Sequence, residues 1–178
     1  IMQRTVQAMR DDSDPYRGVL YGQFMLTKDG PKVIEFNARF GDPEAMNVLT
    51  LLQNGFLEVC QSVADGRLSR DAPFLRQATV CKYVVPAGYG TESKAGRPVM
   101  VDEMKLSSTG ARLYYAAVEE KDGAVLTTSS RTLGVVGMAD SIEEAEAICE
   151  KGLEHVQGDV FVRHDIGKNE LVRRRVEH

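Results

Sequence analysis

Residues 18–27 (GVLYGQFMLT) and 33–36 (VIEF) are rich in aromatic and branched side chains, and Lys28-Asp29-Gly30 stands between them. Such residues fit a pleated, half-covered surface. An Asp-Gly pair between two runs of this kind marks a hairpin, because Gly takes the positive φ of a tight turn at no steric cost. The residues after the hairpin narrow the choice further. The second strand opens into a loop, residues 37–42, and then meets Pro43-Glu44. Pro43 suits the first position of a helix, Asp42 its cap, and Glu44 the positive end of its dipole. This helix is expected to run to about Gln53 and to stop at Asn54-Gly55.

Around this strand–loop–helix segment lie the remaining elements. Ile1, Met2, Val6 and Met9 sit near helical spacing, and Asp11-Asp12-Ser13-Asp14-Pro15 breaks that helix. Residues 56–64 form another helix, ended by Asp65-Gly66. From Gln77 onward the texture changes to short strands: 78–85, closed by Pro86, then 112–118, 124–128 and 133–138, with Asp122-Gly123 a second hairpin turn. Ser141 caps a helix reaching about Val156, with Glu143 and Glu144 in its first turn, and Phe161-Val162 makes a last short strand. The division falls between about Asp65 and Pro73. Residues 1–65 have too few strands to close a core, whereas residues 66–178 read as a compact α+β module of short antiparallel strands with a packed helix.

Composition removes several functions. With 178 residues, 43% of them hydrophobic, a real core is feasible. No apolar run approaches the roughly 20 residues of a membrane-spanning helix, so no membrane partner is expected. Lys and Arg number 22 against 26 Asp and Glu, a net charge of -4, which argues against nucleic acid as a partner. A phosphorylated small molecule held by a few arginines stays open. Cys60, Cys81 and Cys149 fit neither a disulfide framework nor a zinc cluster, which favours a reduced, cytoplasmic setting. Cys60 and Cys149, in helical patterns, are expected as small buried hydrophobes. The chain opens on Ile1 and is read as a piece of a longer protein. Strands without sheet neighbours invite pairing with another copy, so a non-native dimer is expected.

The chemistry concentrates in Val33-Ile34-Glu35-Phe36-Asn37-Ala38-Arg39-Phe40-Gly41-Asp42-Pro43-Glu44. Side chains two apart on a strand share a face, which sets Glu35 and Asn37 together at roughly 7 Å between Cα atoms. Ile34 and Phe36 then point the other way, into a core. Spacing alone leaves two readings open. Glu35 and Asn37 are polar residues at a solvent-facing strand end, or a pair of hard oxygen donors for Mg²⁺, which takes one or two protein oxygens and completes its shell with phosphates and water. Arg39 is likewise a surface charge, or a guanidinium for phosphate oxygens.

The full string EFNARFGDPE, preceded by GVLYGQFMLTKDGPKVI, closely resembles the phosphoribosylamine–glycine ligase family, the ATP-grasp carboxylate–amine ligases of purine biosynthesis. VPAGYG at 85–90, the helix at 141–152 and FVRHDIG at 161–167 resemble later segments of that family. The resemblance implies that residues 1–65 end an ATP-grasp domain and residues 66–178 form the C-terminal domain. It implies Glu35 and Asn37 as ligands of Mg²⁺ (or Mn²⁺), Arg39 as the catalytic basic residue, and Gly41 and Asp42 as the loop beside the substrates. ATP would be co-substrate, glycine and 5-phosphoribosylamine the substrates, and the missing N-terminal part of the same protein a partner without which the chain is inactive.

Some residues depart from the family pattern. Gln23, twelve residues before Glu35, stands where many ATP-grasp enzymes carry a first metal carboxylate. It is a weak ligand or a hairpin hydrogen bonder. Thr128-Ser129-Ser130-Arg131 replaces a Gly-Gly-Arg turn, which speaks against a tight loop there, and Ala45-Met46-Asn47 also departs. The rival readings are another ATP-grasp ligase or carboxylase, and a non-catalytic interaction module. His164 and Asp165, adjacent in sequence, point in opposite directions on a strand and make no dyad, and Arg163 with Asp165 is read as a structural ion pair. Arg173-Arg174-Arg175 is read as a solvated end.

Overall fold

A computed structural model describes residues 1–13, 15–53, 55–68 and 74–176, with backbone alone for the last two of these. Asp14 and Asn54, residues 69–73 of the expected division, and the side chain of Arg175 lie outside what is described. Packing separates two compact units. One takes Ile1–Ala45 and Leu52–Leu75, the other Met46–Leu51 and Arg76–His178.

The first unit holds α1 (Met2–Asp11), the hairpin β1 (Tyr21–Thr27) and β2 (Gly30–Asn37), the start of α2 (Glu44–Thr50), and α3 (Phe56–Ala64). Lys28 and Asp29 connect the strands, with Thr27 opposite Gly30 and Gly30 at φ 92°. The ladder has one irregularity. Gln23 pairs with Glu35 but Phe24 with Val33, so Ile34 is the extra residue of a bulge. The Asp42–Pro43 peptide is cis, and α2 begins after it, one residue later than expected. Its first turn closes with the Ala45 N–H donating to the Gly41 carbonyl at 2.9 Å. It ends at Thr50, before the expected Gln53.

No residue of α1, β1, β2 or α3 is buried. This corrects the expectation that Ile34 and Phe36 point into a core: they are 51% and 39% exposed. Phe36 meets Phe24 edge-on at 6.3 Å, and a Cβ on Gly22 would stand 2.6 Å from Met2 Sδ. A two-stranded ladder with one helix over it cannot enclose more than that. Cys60 is also exposed, against expectation, on a helix that buries none of its residues.

The second unit contains β3 (Ala78–Pro86), β4 (Pro98–Val101), α4 (Glu103–Ser108), β5 (Arg112–Tyr115), β6 (Val118–Lys121), β7 (Ala124–Thr127), β8 (Leu133–Ala139), α5 (Ile142–Leu153), β9 (Val156–Gly158), β10 (Val160–Val162) and α6 (Asn169–Val176). They build two four-stranded antiparallel sheets, in the orders β10-β3-β8-β5 and β6-β7-β4-β9. The run 112–118 read as one strand is two. The Ala116 and Ala117 N–H groups donate to Thr132 and Arg131 carbonyls, and the chain then leaves one sheet for the other. Asp122-Gly123 makes the expected tight turn, with φ 51° and 75°.

α5 lies directly on β8. Ser141 caps it by accepting the Glu144 N–H at 3.2 Å. A Cβ on Gly137 would fall 1.9 Å from the Ala145 carbonyl oxygen, so glycine is what lets helix and strand approach. Val80, Val84, Leu133, Val135, Ala145 and Cys149 close the core between them, each at most 5% exposed. The other face of β3 and β8 is met by the segment Met46–Leu51. Asn47 Nδ2 donates to Thr79 Oγ1 at 3.0 Å, and the Thr50 hydroxyl shares a hydrogen bond with the Tyr114 phenol at 2.9 Å.

One charge lies inside this core. Lys82, in the middle of β3, is fully enclosed and donates to Glu146 at 2.6 Å and Glu150 at 2.5 Å, both on α5, and to the His164 carbonyl at 3.0 Å. Burial pulls its ammonium pKa down, and the hydrogen bonds of Glu146 and Glu150 outweigh that, so the net direction is upward. His164 Nδ1 lies 2.8 Å from Glu150, and Arg163 pairs with Asp165 at 2.5 Å, the structural ion pair expected.

Candidate functional site

The hairpin presents one face with four polar side chains. Cross-strand register sets Tyr21 opposite Asn37 and Gln23 opposite Glu35, so all four project to the same side of the ladder. Glu35 and Asn37 meet: Asn37 Nδ2 donates to Glu35 Oε1 at 2.9 Å. That bond engages the amide nitrogen and one carboxylate oxygen, leaving Asn37 Oδ1 and Glu35 Oε2 as acceptors. Gln23 is exposed on this face, across the ladder from Glu35.

The two amides and one carboxyl of Gln23, Asn37 and Glu35, on one face, make a sparse donor set. Among the described residues no three His, Cys, Asp or Glu side chains come together as a metal-binding group. Such a set does not enclose a cation by itself. It fits Mg²⁺, a hard ion that retains waters and phosphate oxygens, and it does not fit zinc.

The residues beyond the strand behave differently from one another. Arg39 is exposed, and its Nη1 donates to the carbonyl of its neighbour Phe40 at 2.8 Å. Asp42 is exposed at the start of the turn into α2, whereas Gly41 is buried. A Cβ on Gly41 would stand 2.6 Å from Glu44 Oε2 and 3.1 Å from the Tyr21 ring. A larger residue there would displace the Glu44 carboxylate and press on the Tyr21 ring. The Tyr21 phenol donates to Glu44 Oε1 at 3.1 Å. Desolvation, then the hydrogen bond and charge of Glu44 and the charge of Glu35, raise that phenol above its ordinary pKa.

Sequence reasoning missed Tyr21 and Glu44 as parts of the site. The Lys28-Asp29 turn alone would set Tyr21 opposite Phe36; the bulge at Ile34 moves it to Asn37, so nothing local in the sequence placed it there. In the segment 128–131 the Thr128 hydroxyl accepts the Ser130 N–H at 3.2 Å and donates to the Ala117 carbonyl at 2.8 Å. Arg131 lies over the Tyr83 ring at 5.1 Å. No helix among the described residues is long and apolar enough to cross a membrane.

Comparison with known proteins extends this local picture to the rest of the chain. Residues 1–45 match the family described as phosphoribosylglycinamide synthetase, ATP-grasp (A) domain, and residues 79–169, just over half the chain, match the C domain of the same synthetase. A phosphoribosylamine–glycine ligase of Methanocaldococcus jannaschii is 53% identical over 178 residues, covering 99% of this chain and 40% of that protein. One from Methanocella arvoryzae is 55% identical over 180 residues, covering 100% and 41%. The crystal structure of a Thermotoga maritima phosphoribosylamine–glycine ligase superposes with a TM-score of 0.78 at 27% identity, over 91% of this chain and 40% of that one. The chain therefore spans about 40% of the length of these relatives. With the hairpin in the part matched to the ATP-grasp domain and both four-stranded sheets in the part matched to the C domain, the chain belongs to the phosphoribosylglycinamide synthetase family.

Proposed function

We propose that this chain is the C-terminal part of a ligase that uses ATP to join glycine to 5-phosphoribosylamine. Residues 1–65 are then the end of the ATP-grasp domain and residues 66–178 the C-terminal domain. A glycine carboxylate oxygen attacks the γ-phosphorus of ATP. An O–P bond forms, the bond to the ADP oxygen breaks, and glycyl phosphate results. The amine nitrogen of 5-phosphoribosylamine then attacks the acyl carbon. The C–N bond forms as the C–O bond to phosphate breaks, the nitrogen loses a proton, and glycinamide ribonucleotide, ADP and phosphate are the products of this step of purine biosynthesis in the cytoplasm.

The observation that carries the reading is the Glu35–Asn37 contact on the polar face of the hairpin, inside a segment matched to an ATP-grasp domain. Mg²⁺ or Mn²⁺, when bound, supplies charge neutralisation between phosphate oxygens. Glu35 and Asn37 would hold it, with Gln23 across the ladder as a weaker third donor. Arg39, free to swing from the Phe40 carbonyl, would meet phosphate oxygens. Gly41 and Asp42 would form the substrate side of the loop. The protein's part is positioning and electrostatics, and no side-chain nucleophile is required.

The test is glycine-dependent ADP release by the full-length ligase with and without Glu35→Gln. The substitution is expected to lower kcat/KM by about 10²-fold or more, with the isolated 178-residue chain inactive. Unchanged turnover in Glu35→Gln, or turnover by the isolated chain, would overturn the assignment. Activity with a different carboxylic acid in place of glycine would point to another ATP-grasp ligase.

A further inference from the structure

The loop between β2 and α2 carries Arg39, Gly41 and Asp42, the residues proposed to face substrate, and Arg39 and Asp42 are exposed. An exposed loop holds catalytic geometry only if something fixes its two ends. One residue reaches both, by backbone pairing at one end and by its side chain at the other. Tyr21, the first residue of β1, stands opposite Asn37, where the loop begins. Its hydroxyl donates to Glu44, where the loop ends, at 3.1 Å. Between these two anchors lies buried Gly41, where a Cβ would meet Glu44 Oε2 at 2.6 Å and the Tyr21 ring at 3.1 Å, so both side chains pack against it.

We infer that Tyr21 is a positioning residue: its ring seated on Gly41 and its hydroxyl bonded to Glu44 clamp residues 38–43 against the strand bearing Glu35 and Asn37. Glu44 then serves as the anchor of the clamp. Gly41 belongs to the clamp as well, since it supplies the space the ring and carboxylate occupy. The assignment of a role in turnover rests on the ligase reading above. The clamp itself does not.

Two measurements separate the two claims. The first is hydrogen exchange of the 178-residue chain, read by mass spectrometry over residues 38–45. Tyr21→Phe keeps the ring and removes the donor, so exchange there should rise about fivefold, the equivalent of one net hydrogen bond. Exchange in β3 and β8 should not change. Glu44→Ala should match Tyr21→Phe, and the double variant should add nothing. Glu44→Gln, whose amide oxygen still accepts, should stay near the native rate. Native exchange in Tyr21→Phe, or a Glu44→Gln variant as loose as Glu44→Ala, overturns the clamp.

The second measurement is steady-state kinetics of the full-length ligase. Tyr21→Phe should lower kcat about tenfold while KM for ATP moves less than about twofold, and Glu44→Gln should lower kcat less than Glu44→Ala does. A raised KM with native kcat overturns the positioning role. If the unsubstituted full-length protein shows no glycine-dependent ADP release, the ligase reading fails, and the exchange measurement still decides the clamp.

Discussion

Replacing Lys82 by Met removes the ammonium inside the core and keeps most of the side chain's length. Lys82 is 0% exposed, and its partners Glu146 and Glu150 are 14% and 27% exposed, at 2.6 and 2.5 Å. Removing one member of a buried ion pair costs about 3–5 kcal/mol, because a charge is left without a partner. Here two carboxylates are left. Both retain some water, and Glu150 keeps His164 Nδ1 at 2.8 Å, so the lower end of that range, about 3 kcal/mol, is the expected loss. With a urea m-value of about 2 kcal/mol per molar, the midpoint moves down by about 1.5 M. The chain has no Trp, so the readout is far-UV circular dichroism.

The pH dependence gives this prediction a sign. Burial pushes the Glu150 carboxyl up, and the hydrogen bonds of Lys82 and His164 outweigh it, so its folded pKa lies below the ordinary value. A depressed carboxylate contributes stability that is present above the unfolded pKa, about 4.3, and is lost as pH falls through the folded value. The raised Lys82 pKa acts at the other end, with stability present below the unfolded value of about 10.4 and lost as pH rises through the folded one. The penalty of Lys82→Met should therefore be largest near neutral pH and shrink under acid. Lys82→Met/Glu146→Leu/Glu150→Leu, which removes all three charges, should recover most of the loss. A Lys82→Met chain as stable as the native one at pH 7 would refute the reasoning.

Local geometry sets three more expectations. Thr132 is fully buried, and its hydroxyl has no hydrogen-bond partner among the described residues, so Thr132→Val should raise stability by about 1 kcal/mol in the same urea titration; a loss of similar size would mean that the hydroxyl is satisfied by water. Gly137→Ala forces a Cβ onto the Ala145 carbonyl at 1.9 Å and should cost about 3 kcal/mol, whereas Gly90→Ala, with nothing within 4 Å but a φ of 89°, should cost about 1 kcal/mol. The exposed apolar face of the hairpin should drive self-association, seen as a concentration-dependent sedimentation coefficient that Ile34→Lys reduces; a monomer at every concentration would count against it.

Elements governed by local chemistry were legible in the sequence. The Lys28-Asp29 connection, the helix Phe56–Ala64 and the Ser141 cap each rest on residues within a few positions of one another. Elements defined by distant partners were not. β4 and β9 are four and three residues long and exist because Val99 and Val101 find Gly158 and Val156, which no pattern in PVMV announces. Lys82 interrupts an otherwise apolar strand, and its partners lie 64 and 68 residues away. At the site, period-two alternation brought Glu35 and Asn37 together correctly, but the bulge at Ile34 and the Tyr21–Glu44 bond depend on the fold. The misreading of Ile34 and Phe36 has the same origin. Alternation tells which way a side chain points and says nothing of whether anything lies there to cover it.

The segment Met46–Leu51 has a consequence for how this protein can be divided. It belongs by packing to the second unit, yet in sequence it is bracketed by parts of the first. No single cut yields an intact half. A chain begun at residue 66 would keep the residues that close the core under α5 but would lose Met46, Asn47 and Thr50 from the opposite face of β3 and β8. Gene fusions, split-protein reporters and chimaeras made at the apparent linker would thus carry a sheet face without that cover. An exchange of this module between relatives must carry the α2 segment with it.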